Sequence, residues 1–219
     1  MISFMNCIYC KHPYTYVLKD RQRKCSHCKR KFSPKKLERK KQLCRLFTEG
    51  SNAGEAAKTT GMHVATVQKY YRDFRRQLAL HADEQYRLNS HHINGYDEYL
   101  YLPKTLSIKK EIHKIQHFLT FSYGNRVYNL MMSTIQNSQI DMNSEQEQKL
   151  LLKYLNFNKV AKLNTASTTI TEFWDFFEVF ILQYKGVSSQ QFAFYLKEAE
   201  ARFNYPDRET LEMILLGSA

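Results

Sequence analysis

Four cysteines form the clearest chemical pattern in this chain of 219 residues. They follow the spacing C-x2-C-x14-C-x2-C and are Cys7, Cys10, Cys25 and Cys28. Two cysteine pairs with this spacing can close a tetrahedral shell of thiolates around one Zn²⁺ ion. Because such a shell leaves no open coordination position, the zinc is predicted to be structural and not catalytic. Metal binding would supply folding energy that about thirty residues with little apolar core cannot supply themselves.

The alternative is that these cysteines form two disulfides in a secreted module. The sequence has no signal-peptide pattern and no apolar stretch as long as a membrane helix. The remaining cysteine, Cys44, falls among the apolar positions of a predicted helix. These observations favour a reducing cytoplasm, and therefore zinc over disulfides.

Positive charge is concentrated in the N-terminal third of the chain, although the whole sequence has a formal net charge of only +12. Residues 1–82 contain 19 Lys and Arg against 5 Asp and Glu, a net charge of +14, whereas residues 83–219 contain 14 against 16, a net charge of −2. This distribution is typical of a nucleic-acid-binding head on a near-neutral body. A membrane-surface role would need a basic amphipathic face and fits less well.

The cysteines are predicted to lie on a zinc ribbon that spans residues 1–34. Residues rich in β-formers run from Tyr14 to Leu18, and two further strands are expected through Arg23 to Cys25 and Lys29 to Phe32. The basic residues of these strands would face the phosphate backbone of DNA, which gives affinity without sequence choice.

Residues 35–82 are predicted to form a helix-turn-helix domain. The apolar periodicity indicates a helix from Lys35 to Thr48, a short one from Ala53 to Thr60 that stops at Gly61, and an amphipathic one from His63 to Leu80. A short second helix followed by a basic third helix matches a motif whose third helix enters the major groove. The alternative is an ordinary three-helix bundle with a solvated basic face.

The polar face of the third predicted helix supplies the candidate DNA-binding residues. Side chains near its N-terminus are expected to touch base edges, and basic side chains farther along are expected to contact phosphates. The candidates for base contacts are Thr66, Gln68 and Lys69, and those for phosphate contacts are Arg72, Arg75 and Arg76.

The C-terminal part is predicted to be α+β, with strands first and helices after them. The strands are expected over Tyr96 to Leu102, Ile112 to Tyr123 and Arg126 to Met132, the last two joined by a turn at Gly124-Asn125. The expected helices run from Glu145 to Tyr154, Thr171 to Tyr184, Ser188 to Phe203 and Asp207 to Leu216.

Two passages of this part resemble a known family. The first is GYDEYLY at 95–101, and the second comprises ITEFW at 170–174, QYKGVS at 183–188 and FYLKEAEARFN at 194–204. They are similar to motifs of the small bacterial insertion-sequence transposases (ISXO-type), which carry a zinc ribbon and a helix-turn-helix ahead of an RNase H-like DDE domain. The resemblance implies that residues 83–219 form a shortened RNase H-like domain with C-terminal helices.

The resemblance also implies a chemistry, namely DNA strand cleavage and transfer by three carboxylates that hold two Mg²⁺ ions. The carboxylates at or next to the corresponding positions are Asp97, Asp141 and Glu172. For Asp141 the alternative is a helix N-cap ahead of Glu145. The implied substrate is double-stranded DNA with terminal inverted repeats. By the same resemblance we expect a homo-oligomer on DNA ends, in the bacterial cytoplasm and without membrane association.

The sequence departs from the family pattern around the third carboxylate. Aligned on Phe173-Trp174, the family glutamate falls on Thr171, and Glu172 lies about 100° farther around the helix. A basic DNA-contacting position falls on Glu178, which reverses its charge. Two alternatives therefore stay open: a catalytically inactive, transposase-derived DNA-binding regulator, and a transcription regulator whose C-terminal part only dimerises.

Overall fold

The computed structural model describes residues 5–101, 115–132, 168–184 and 186–217. These residues form a mixed α/β structure with two three-stranded antiparallel sheets and six α-helices. The chain divides into two compact units, one containing residues up to Gln77 together with those from Asp207 onward, and the other Leu78–Pro206.

The small sheet of the first unit carries the cysteines and has almost no apolar interior. Its strands are β1 (Thr15–Val17), β2 (Arg23–Cys25) and β3 (Lys31–Phe32), in the order β1-β2-β3. Phe32 is buried, but so is Arg23, whose Nε donates a hydrogen bond to the hydroxyl of Thr15 at 2.9 Å. So little apolar surface cannot hold three short strands together by itself.

Three helices follow this sheet, namely α1 (Pro34–Thr48), α2 (Ala53–Thr60) and α3 (Val64–Asn89). The helix α1 begins with an Ser33 cap and a proline in its first turn. A capping box of Asn52 and Glu55 starts α2, which ends at Gly61 with a φ of 65°. These local signals explain why the helix boundaries agree with the prediction.

An aromatic cluster packs α1 against α3 in the first unit. The rings of Phe47 and Tyr71 lie 4.9 Å apart, those of Phe47 and Phe74 lie 5.4 Å apart, and all three side chains are buried. The Tyr71 hydroxyl donates to the carbonyl of Ser51, just before α2, at 3.0 Å. This bond fixes the turn between α1 and α2 against α3.

The helix α3 ends nine residues later than predicted, because it continues past Leu80 to Asn89. No Gly or Pro interrupts this stretch, so nothing in the sequence stops the helix. The boundary between the two units, after Gln77, falls within α3. The last helix, which is α6 (Arg208–Leu216), belongs to the first unit, where Arg208 pairs with Glu49 at 2.5 Å.

The second unit contains the sheet β4 (Gly95–Tyr101), β5 (Gln116–Tyr123) and β6 (Arg126–Met131) and the helices α4 (Thr169–Ile181) and α5 (Ser189–Asn204). Three strands and two helices are present where they were predicted, with ends that differ by up to four residues. The hairpin turns at Gly124 with a φ of 58°. The predicted helix from Glu145 to Tyr154 lies outside the described residues.

Aromatic side chains fill the interior of the second unit. One face of the sheet packs against α4 and α5. The buried residues of this core include Phe118 on the sheet, Phe173, Trp174 and Phe177 on α4, and Leu196 on α5. On β6, Tyr128 stacks on Tyr86 of α3 with 4.0 Å between ring centroids. The side chains at the helical spacing of α4 are therefore core residues and not a surface for stacking bases.

Side chains of α5 bond to the backbone of β6, which is an edge strand among the described residues. The amide of Asn204 accepts from the N–H of Val127 and donates to its carbonyl, both at 2.8 Å. The carboxylate of Glu200 accepts from the backbone N–H of Asn129 at 2.8 Å and also pairs with Lys197 at 3.0 Å. Backbone groups at the edge of a sheet need partners, and α5 provides them.

We expect Glu200→Ala to destabilise the protein by about 3–5 kcal/mol, since it leaves the partly buried Lys197 and the buried backbone N–H of Asn129 without their carboxylate partner. Glu200 is only 1% exposed. The measurement is urea unfolding, with Gln191→Ala as the control because Gln191 is exposed on the same helix. The control should change the free energy of unfolding by less than about 0.5 kcal/mol. Equal losses in both variants would contradict the assigned role.

The stability difference between the wild type and Glu200→Gln should depend on pH. Complete burial raises the pKa of Glu200 above its ordinary value of 4.5, and the ion pair with Lys197 opposes this only in part. The folded state therefore keeps its proton at a pH where the unfolded state has lost it, so wild-type stability falls as the pH rises above 4.5. Urea unfolding at several pH values should show that the free energy of unfolding of Glu200→Gln rises relative to that of the wild type as the pH increases above 4.5. A difference that does not change with pH would contradict this prediction.

Candidate metal centre and nucleic-acid face

The four predicted zinc ligands converge in the first unit. The Sγ atoms of Cys7, Cys10, Cys25 and Cys28 all lie within 4.8 Å of one another. The contacts Cys7–Cys28 and Cys10–Cys25 are 3.6 Å, so all four are free thiols and not disulfides. The prediction of a cysteine cluster that could hold one zinc ion is confirmed, and the disulfide alternative is not.

The two cysteine pairs sit on matching backbone loops. In each loop the residue after the second cysteine, Lys11 or Lys29, has a positive φ near 60°. The N–H of Tyr9 donates to the Sγ of Cys7 at 3.4 Å, and the N–H of His27 donates to the Sγ of Cys25 at 3.3 Å. Such donors stabilise thiolates and turn the sulfur atoms towards a common centre.

Burial and backbone hydrogen bonds have opposite effects on the pKa of Cys7. Burial by itself would raise the pKa of Cys7, but hydrogen bonds from the backbone of Cys10 and Tyr9 outweigh it and bring the pKa to about 6. A thiolate is the form that binds metal. The lowered pKa therefore favours the thiolate form of Cys7.

Five of the six candidate DNA-binding residues lie on one exposed stretch of α3. Thr66, Gln68, Lys69, Arg72 and Arg76 are all exposed. Arg76 is 66% exposed and lies 4.0 Å from Asp73, in a pair that solvent screens strongly. This stretch presents hydrogen-bonding and basic groups from the first turn of α3 onward.

Arg75 is placed differently from the prediction that it contacts phosphates. Its side chain is only 5% exposed, and its guanidinium lies 5.7 Å from the ring centroid of Phe47. The physical reason is the helical period, because residue 75 lies four positions after Tyr71 and three before Leu78, both of which are buried. Arg75 therefore packs in the helical bundle, and the basic face is one arginine smaller than expected.

The first candidate carboxylate, Asp97, is exposed on β4. It lies opposite Thr120 of β5, and Thr120 lies opposite Asn129 of β6. Thr120 is completely buried and accepts a hydrogen bond from the indole N–H of Trp174 at 3.0 Å. Residues paired across antiparallel strands point to the same face of the sheet. Asp97 therefore lies on the same face as Thr120, the face that Trp174 of α4 contacts.

The region of the third candidate carboxylate has a structural role at the start of α4. Thr171, which takes the family's glutamate position, forms a capping box with Thr168 and accepts from its backbone N–H at 2.8 Å. Glu172 is exposed in the same turn. Glu178 accepts a hydrogen bond from the hydroxyl of Tyr99, and burial together with this bond raises the pKa of Tyr99.

Asp141, the second candidate carboxylate, lies outside the described residues, so the carboxylate triad stays a prediction. Within residues 5–101, 115–132, 168–184 and 186–217, the four cysteines are the only group of three or more His, Cys, Asp or Glu side chains close enough to share a metal. Asp97 and Glu172 therefore belong to no metal-sized cluster in that part of the chain.

Sequence reasoning missed the roles of the motif at 195–204. Besides the bonds of Glu200 and Asn204 to β6, Arg202 pairs with the buried Glu198 at 2.8 Å, and Tyr184 donates to the same carboxylate at 3.3 Å. The alternation of opposite charges four residues apart was the available signal. These residues hold α5 in the second unit.

A scan against protein-family models, a search of the curated proteins and a search of the solved structures each found no match. The likeness to transposases therefore rests on the sequence motifs alone. No helix in the described part of the chain is long and apolar enough to cross a membrane.

We expect the purified protein to contain one zinc ion per chain and to lose it in the double variant Cys25→Ser/Cys28→Ser. Losing two thiolates opens the shell and should unfold the small sheet. The control is Cys44→Ala, because burial and the nearby Glu212 raise the pKa of Cys44 to about 12 and keep it a neutral thiol outside the cluster. Elemental analysis checks this; unchanged zinc in the double variant would contradict it.

Proposed function

We propose that the protein binds double-stranded DNA, with α3 as the recognition helix of a helix-turn-helix and the cysteine sheet as a zinc ribbon. The observation that carries this proposal is the exposed polar and basic stretch of α3, preceded by the short helix α2 that ends at Gly61. An α-helix fits the major groove of DNA, which is about 12 Å wide. The net charge of +14 over residues 1–82 suits a polyanionic partner.

The side chains divide by position along α3. Thr66, Gln68 and Lys69 lie in its first two turns, where a recognition helix contacts base edges. Glutamine can bond to adenine through two hydrogen bonds, and lysine can bond to guanine. Arg72 and Arg76 lie one and two turns farther along, where arginine side chains bond to phosphate oxygens.

We further propose that the protein is a transposase-type DNA-binding protein that recognises the terminal inverted repeats of an insertion sequence. The motifs at 95–101 and 170–204 support this proposal. Strand transfer would need Asp97, Asp141 and Glu172 to hold two Mg²⁺ ions in an RNase H-like domain. The use of Thr171 as a helix cap favours the alternative, a regulator that binds DNA without cutting it.

We expect Arg72→Ala to weaken binding to all duplexes alike and to lower the salt slope of binding by about one, because one phosphate contact is lost. The matched control is Arg87→Ala, which removes an exposed arginine from the same helix but lies in the second unit. Fluorescence anisotropy at several salt concentrations checks both variants. Equal effects of the two substitutions would contradict the proposed face.

We expect Gln68→Ala to change sequence preference and not general affinity. Duplexes enriched from a random pool by the wild type should lose about 1–3 kcal/mol of binding free energy, whereas an unrelated duplex should bind as before. Competition binding with both duplexes measures this difference. An equal loss on both duplexes would show that Gln68 does not contact base edges.

We expect the protein to bind DNA without magnesium-dependent nicking, since the family's third carboxylate position holds Thr171. The assay incubates supercoiled plasmid containing an enriched site with Mg²⁺ and compares the wild type with Asp97→Asn. Nicking by the wild type that disappears in Asp97→Asn would instead establish the strand-transfer enzyme.

A further inference from the structure

We propose that a cleft in the first unit binds one unpaired nucleotide of a DNA strand. Its volume is about 360 Å³, and its walls come from three elements. Tyr9 lies in the first cysteine loop and Lys31 on β3 of the small sheet, Lys36 and Lys40 belong to α1, and Tyr70 belongs to α3. None of the residues that line it is acidic.

The chemistry of the walls matches the two parts of a nucleotide. Tyr9 is 47% exposed, so a flat base can stack on its ring. The lysines can bind a phosphate group through their ammonium groups, which are strong hydrogen-bond donors. Tyrosine rings beside basic residues are what proteins use to hold single-stranded bases by stacking and charge.

The Tyr9 ring is held in place before any ligand arrives. Its hydroxyl donates to the carbonyl of Lys31 at 3.4 Å, its edge meets Phe32 with 6.4 Å between centroids, and the guanidinium of Arg30 lies 5.2 Å from its centroid. A fixed ring loses little conformational entropy when a base stacks on it. A guanidinium near the ring also adds positive charge beside the cleft.

The size of the cleft selects a single nucleotide. A volume of 360 Å³ lies at the low end of the range for small-ligand pockets, which is about 300–1,000 Å³, and a duplex cannot enter it. Tyr70 follows Lys69 directly along α3, one residue or about 100° around the helix. An unpaired nucleotide beside a duplex on α3 can therefore reach the cleft, an inference that rests on the proposed DNA binding.

The test compares two DNA ligands on the full-length, zinc-loaded protein by fluorescence anisotropy. One is a flush duplex, and the other is the same duplex with a single-stranded overhang, placed at the 5′ end or the 3′ end in separate experiments. We expect the wild type to bind one of the overhang duplexes about tenfold more tightly than the flush duplex. Equal affinity for all three ligands would overturn the proposal.

Variants then assign the preference to the cleft. Tyr9→Ala should abolish the overhang preference but leave the affinity for the flush duplex unchanged, and Tyr9→Phe should retain the preference. Tyr14→Ala is the matched control, because Tyr14 is exposed in the same unit but does not line the cleft. An overhang preference that survives both Tyr9→Ala and Lys36→Ala would overturn the proposal.

Competition distinguishes the ligand sources. Deoxyadenosine monophosphate should displace the overhang duplex more strongly than inorganic phosphate does; equal competition by phosphate would overturn the stacked base. Binding of the monophosphate without any overhang preference would assign the cleft to free nucleotides and overturn the DNA-borne source. If the wild type does not bind the flush duplex, the proposed function fails, and titration of the monophosphate against Tyr9→Ala tests the cleft separately.

Discussion

The convergence of four sulfur atoms is the constraint on which the first unit depends. Its small sheet buries Cys7, Cys25 and Phe32 but also the charged Arg23, so apolar burial contributes little to its stability. Thiolates this close together repel one another unless a cation lies between them. With the cation, both cysteine loops are fixed, and with them Tyr9 and Lys31, which form one wall of the cleft beside α1.

The second unit depends on a different constraint, because the backbone groups of its edge strand β6 need hydrogen-bond partners. A strand at an edge presents backbone groups that need partners. Here a glutamate and an asparagine one helical turn apart, Glu200 and Asn204, bond to β6, and Lys197 neutralises the buried carboxylate. The residues at 194–204, which carry part of the resemblance described above, thus hold α5 against the edge of the sheet.

Most of the helices and strands could be predicted from the sequence, because helix caps, turns and apolar periodicity depend on residues that are close together along the chain. The hairpin at Gly124 and the short helix between Asn52 and Gly61 are such cases. Arg75 shows where residue type misled the prediction, since its spacing from Tyr71 indicated burial although its charge suggested exposure. The cleft could not be predicted, because Tyr9, Lys36 and Tyr70 come from elements whose relative placement no local pattern encodes.

The basic residues of the first unit lie in two different settings, which correspond to the two proposals, duplex binding by α3 and nucleotide binding by the cleft. The basic residues of α3 lie along an open surface, where attraction to phosphate is long-ranged but screened by salt. The lysines of the cleft surround a confined space beside aromatic rings, where part of the interaction is stacking and does not depend on ionic strength in the same way. With the proposed DNA binding, such a protein would locate a duplex by charge and would then distinguish a frayed or cut end from continuous DNA. That discrimination would need no metal-bound carboxylates, so it is compatible with the proposed regulator as well as with the proposed strand-transfer enzyme.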